Sequence, residues 1–257
     1  MRHALHAEWT KQRTLASTFW LLLATVALTV TVSAAAAAAA RCPSGGCADD
    51  PARISLTGIY LGQAAVAVLA VMAVSGEYGT GMIRVTLAAT PRRLTVLAAK
   101  AAVLTCLVLV TGAIAVLGAL LAGRLILPGH GIGPSHGYPA LSFTDGPVIR
   151  AGVGSVLYLA LIALLSLGAA TAVREAAAAI GVVLGLLYLF PIIAAVAGPD
   201  PARHIEQLGP MTAGLAIQAT TGLNSLPIGP WAGLAVLAAW AAGALALGGL
   251  LLRGLDA

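Results

Sequence analysis

The residues best placed to do chemistry sit in SGEYGTGMIRVTLAATPRRLTVLAAK, residues 75–100. One acid (Glu77), three arginines (Arg84, Arg92, Arg93) and a lysine (Lys100) share this interval with Thr80, Gly81 and Pro91. Both flanks are long runs of Ala, Val, Leu and Gly. No nucleophile–base pair or metal-ligand set accompanies these charges. The chain has no G-x-x-x-x-G-K-[ST] and no Gly-Lys pair, so it does not cradle ATP in that way. It also lacks H-E-x-x-H. His3, His6, His130, His136 and His204 fall outside the apolar runs, and two loop histidines without a nearby third ligand do not make a metal site. No catalytic, cofactor-binding or metal-binding residue is expected.

Composition explains the scarcity of charge. Of 257 residues, 60% are hydrophobic and 9% are charged, against about 25% charged in a soluble domain. The class this implies is an all-α, polytopic membrane protein. The net charge of +5 lies at the ends of apolar runs, where headgroups account for it, and no basic face with interleaved aromatics suggests nucleic acid.

Six runs are long enough to span: 19–40, 54–74, 96–121, 149–173, 176–197 and 231–252. With an even number, both termini share a side. That side carries Arg2, Lys11, Arg13, Arg84, Arg92, Arg93, Lys100, Arg174 and Arg253; the other carries Arg41, Arg53, Arg124, Arg150 and Arg203, balanced by Asp49, Asp50, Asp145, Asp200 and Glu206. The positive-inside rule therefore places both termini in the cytoplasm. The spans hold almost no ionisable group away from their ends, which argues against a proton- or sodium-driven carrier. A membrane-embedded enzyme would need Asp, His or Ser clustered near a membrane face, which is not expected from the spans.

Residues 1–18 read as a helix lying on the membrane, with Leu5, Trp9, Ala16, Phe19 and Trp20 near one stripe. Glu8 and Gln12 interrupt it. A basic lead, LLLATVALTV and SAAAAAAA also resemble a signal peptide, but the lead is long and the apolar run exceeds a signal core. Cys42 and Cys47 frame CPSGGC and could close a disulfide if the loop is extracytoplasmic; Cys106 reads as a small core residue. Gly58 with Gly62, and Gly181 with Gly185, form small-xxx-small pairs suited to helix packing. Pro191 could kink the fifth span. In the interval itself, Ser75 and Gly76 are expected to end the second span, and Thr80 could cap a short cytoplasmic helix, 77–90. Thr90-Pro91 opens the third span, Arg92 and Arg93 anchor it, and Lys100 is expected to snorkel back to the interface.

This interval resembles the stretch between spans two and three of ABC-2 type transporter permeases, the membrane subunits of ATP-binding cassette exporters. The shared pattern falls on Glu77, Tyr78, Gly79, Gly81, Met82, Ile83, Arg84, Thr86, Leu87, Pro91, Arg92, Arg93 and Lys100. EWTKQR resembles the family's entry helix, LGPMTAGLAIQ its external re-entrant segment (198–230), and RGLDA its tail. The resemblance implies a permease that pairs with a second permease copy and with a separate ATPase holding ATP and Mg. Residues Glu77, Tyr78, Thr80, Gly81, Arg84, Leu87, Pro91, Arg92 and Arg93 would contact that ATPase, with Arg174 and Glu175 as a second contact. The substrate class the apolar spans suit is hydrophobic or amphipathic.

Overall fold

The computed structural model describes residues 2–41, 50–79, 82, 93–130, 132, 141–142 and 144–254. Among them there is no strand. The helices are α1 (Arg2–Thr14), α2 (Ala16–Ala39), α3 (Pro51–Ser55), α4 (Ile59–Gly79), α5 (Arg93–Ile126, continued by a 3-10 turn, Leu127–His130), α6 (Gly146–Val173), α7 (Ala176–Val196), α8 (Pro199–Leu208), α9 (Pro210–Leu215, followed by a 3-10 turn, Ala216–Gln218) and α10 (Pro230–Gly254). Six of these, α2, α4, α5, α6, α7 and α10, are long and apolar enough to cross a membrane, which makes this a multi-pass membrane protein.

α6 is the hub and packs against α10, α4, α5 and α7. α2 lies against α4 and α5. Small residues let the backbones approach, as lipid-embedded helices require when no hydrophobic effect drives them together. A side-chain carbon on Gly168 of α6 would collide with the Ala244 backbone of α10, and Gly248 faces the Gly168 carbonyl. Gly58 and Gly62 sit against Thr29 of α2, as their spacing predicts. Gly181 and Gly185 face open space instead.

Two boundaries differ from the sequence reading. The expected span 54–74 is split: Asp50 caps α3 through the Ala52 amide, a turn follows, and α4 begins only at Ile59. Ser33 on α2 accepts the Gly58 N–H at 3.0 Å and fixes that turn. At its other end α4 does not stop at Ser75 and Gly76 but runs to Gly79, so Glu77 and Tyr78 belong to its last turn and do not open a separate helix. The reason is that Glu77 has partners inside the bundle that hold this turn in register. Met82 is helical; the rest of 80–92, with Thr80, Gly81, Arg84, Leu87, Pro91 and Arg92, lies outside the described residues, as do Cys42 and Cys47.

Residues 198–230 leave and re-enter the bundle at one end. Gly209 precedes Pro210 at the first position of α9, a favoured start. Met211, Leu215 and Ile217 then join the main core, against α6, α7 and α10. The expected helix 211–220 is thus a short α-helix plus a 3-10 turn.

Candidate functional site

At the end of the bundle that carries α1, four charged side chains from three helices meet. Glu8 and Lys11 come from α1, Glu77 from the last turn of α4, and Lys100 from the third turn of α5. The Lys100 ammonium donates to Glu8 Oε2 at 2.8 Å, to Glu77 Oε1 at 2.7 Å and to the Ala73 carbonyl at 3.2 Å. Its three N–H groups therefore have three acceptors. Lys11 donates to Glu77 Oε1 at 2.8 Å and to Glu8 Oε1 at 3.2 Å. The result is a closed quartet in which each carboxylate touches both ammonium groups. Burial pulls the Lys11 proton affinity down, but the Glu77 hydrogen bond and the charges of Glu8 and Glu77 outweigh it and hold the group above its ordinary 10.5.

One expectation is corrected here. Lys100 does not snorkel: it is 5% exposed, because the partners a buried ammonium needs are delivered by α1 and α4. The two residues that interrupt the apolar stripe turn to the bundle. Glu8, only 3% exposed, and Gln12 face the bundle, while Trp9 (40% exposed), Phe19 and Trp20 (63% each) face outward. A bundle end that offers a lysine and a glutamate takes the polar face of α1, leaving the aromatics for the membrane interface, where such rings are enriched. Thr18 donates to Gln12 Oε1 at 3.0 Å and joins α1 to α2. Glu8, which breaks the apolar stripe, was the signal in the sequence for this contact.

Beside the quartet lies a second arrangement. The Arg174 guanidinium stands over the Tyr78 ring, 5.8 Å from its centroid. Arg174 also donates to the Leu251 carbonyl at 3.1 Å, and Arg93 to the Leu252 carbonyl at 2.8 Å. Two cations thus serve the C-terminal carbonyls of α10, where the helix dipole favours them. Arg174 caps α6 with φ of 67°, a left-handed value uncommon outside glycine. The next residue, Glu175, is exposed and caps α7, accepting from the Ala177 and Ala178 amides at 2.9 and 2.5 Å. Those hydrogen bonds, that of Ala178 first, hold its carboxyl below its ordinary 4.5.

So Glu77, Tyr78, Arg93 and Arg174 are brought to one end of the bundle, whereas Glu175 points outward in a local capping role. The side chains join the ends of α4, α5, α6 and α10 to α1. Among the described residues no group of His, Cys, Asp and Glu could hold a metal ion. The arrangement bonds the last turn of α4 and the third turn of α5 to each other and to α1.

The opposite end has its own polar fastening, which the sequence reading missed. Asp50 accepts from the Thr220 hydroxyl at 2.6 Å, the Thr221 amide at 3.0 Å and the Thr220 amide, besides capping α3. Arg150 donates to the Ala219 carbonyl at 2.5 Å. Deeper in, the buried Tyr158 hydroxyl donates to Gln63, whose amide reaches Met211 Sδ at 3.1 Å. These contacts hold the 210–221 segment in place.

No protein-family model matches the chain, and no curated protein matches it either.

Proposed function

We propose that this chain is the permease subunit of an ATP-driven ABC-2 type exporter. It would form the membrane pathway for a hydrophobic or amphipathic substrate, work with a second permease copy, and take its energy from a separate ATPase. It would reside in the plasma or inner membrane with both termini in the cytoplasm. The observation that carries the reading is the pairing of Glu77 with Lys100. The motif residues at the two edges of the 77–100 interval are bonded to each other inside the bundle, so a push on the intervening segment reaches α4 and α5 together. A partner can shift such a unit only through differential affinity for its two states, and nucleotide binding to an ATPase would supply it. The largely buried segment at 210–219 supports a closure at the far end.

Co-purification tests this directly. A tagged chain expressed in its own host should bring down an ATPase with a phosphate-binding loop. Glu77→Ala and Arg84→Ala should lower coupled ATPase activity without blocking insertion, and amphipathic compounds should stimulate that activity where sugars do not. The competing reading is a stand-alone membrane protein, an ion-coupled carrier or a sensor's membrane partner. Cargo movement by the isolated chain in liposomes would favour it and sink the exporter reading.

A further inference from the structure

Between α1, the first turns of α2 and the last turns of α4 lies a cleft of about 410 Å³. Its two ends differ in chemistry. Leu21, Leu69 and Met72 line one end; Lys11, Thr14 and Glu77 line the other. The size is in the range of small-molecule sites. The outward-facing Trp9, Phe19 and Trp20 flank the same turns, and such rings mark the headgroup level of a bilayer. The cleft therefore runs from headgroup depth into the hydrocarbon.

Charge narrows the occupant. The quartet of Glu8, Lys11, Glu77 and Lys100 sums to zero. The Lys11 side chain is 26% exposed and lines the cleft together with Glu77. Glu77 Oε2 is buried without a hydrogen-bond partner, a costly state for a carboxylate oxygen. An anionic lipid would bring an uncompensated negative charge next to two carboxylates in a poorly solvated place. A zwitterion keeps the sum at zero. An ethanolamine headgroup has N–H donors for Glu77, whereas the quaternary choline has none. A sugar or free phosphate would leave the apolar end of the cleft unused.

We propose that this cleft holds a zwitterionic, amine-bearing phospholipid, with its phosphate on Lys11, its ammonium beside Glu77 and one acyl chain along Leu21, Leu69 and Met72. The lipid would wedge α1 against α4 and complete the polar end of the cleft. This inference does not depend on transport, since its readout is binding.

The test uses the full-length chain in maltoside detergent, supplemented with phosphatidylethanolamine, phosphatidylcholine or phosphatidylglycerol of matched chains. Thermal unfolding and adduct retention in native mass spectrometry are the readouts. Phosphatidylethanolamine should raise the melting temperature most and survive as an adduct at the highest collision energy. Met72→Trp, which fills the cleft from a half-open position outside the quartet, should abolish that increment while leaving the lipid-free melting temperature near wild type. Lys11→Gln should lower adduct retention at least several-fold. An equal effect of phosphatidylcholine would overturn the amine contact; an equal or larger effect of phosphatidylglycerol would overturn the charge argument. An undiminished increment in Met72→Trp would overturn the site.

Discussion

Glu77 and Lys100, 23 residues apart in sequence, lie 2.7 Å from each other in the interior of the bundle. Buried pairs of this kind add little net stability, because desolvation cancels much of the attraction; removing one partner is what costs. Lys100→Met should therefore destabilise the protein by about 3–5 kcal/mol, leaving two carboxylates to share Lys11. Replacing Glu8 as well, in Glu8→Leu/Lys100→Met, should recover part of the loss. Thermal unfolding in detergent measures both. A double variant as unstable as the sum of its single changes would show that the quartet does not act as a unit.

The crossing of α6 over α10 makes a second, geometric prediction. Gly168→Ala places a methyl group where the Ala244 backbone stands, and overpacking of this kind costs about 1–3 kcal/mol. Gly181→Ala and Gly185→Ala meet nothing and should be neutral or stabilising by up to about 1 kcal/mol through helix propensity. Expression and melting temperature of the three variants should separate accordingly.

Asp50 caps α3 through the Ala52 amide and accepts three hydrogen bonds from Thr220 and Thr221 of the 219–221 strap. Asp50→Ala should remove the acceptor of the half-buried Thr220 amide and hydroxyl, a loss of about 1 kcal/mol per hydrogen bond, while the exposed Thr221 amide turns to water. Hydrogen exchange should quicken at residues 219–222 and stay unchanged at the quartet end. Uniform acceleration along the chain would contradict a local role.

The Glu175 cap has a pH signature. Its folded-state pKa is below 4.5, so its charged form stabilises the fold above 4.5, and that contribution disappears as the pH falls from there through the folded-state value. Glu175→Gln keeps an acceptor but removes the charge. The difference in melting temperature between wild type and variant should be constant near neutrality and vanish under acid. A difference that does not shrink at all as the pH is lowered below 4.5 would assign the effect to packing.

The six crossings were legible because length and apolarity suffice to define them, and the Gly58–Gly62 contact followed from spacing alone. The quartet was less legible for a physical reason. Hydropathy treats Lys100 as a terminal residue that can reach water, and nothing in the local sequence says that α1 folds back to meet it. The same limit hid Asp50, whose partners lie 170 and 171 residues away. Glu8 was visible as a flaw in an amphipathic stripe, and such flaws are where a tertiary partner should be sought.

The neutrality of the quartet has an electrical consequence. A transmembrane voltage does about 2.3 kcal/mol of work per elementary charge per 100 mV on a charge that traverses the field. Two ammonium and two carboxylate groups that travel together carry no gating charge, so the quartet itself adds nothing to the voltage dependence of a shift along the membrane normal. Whatever work the resting potential does on such a movement falls on the other cations at this end of the same elements, Arg2, Arg13 and Arg93.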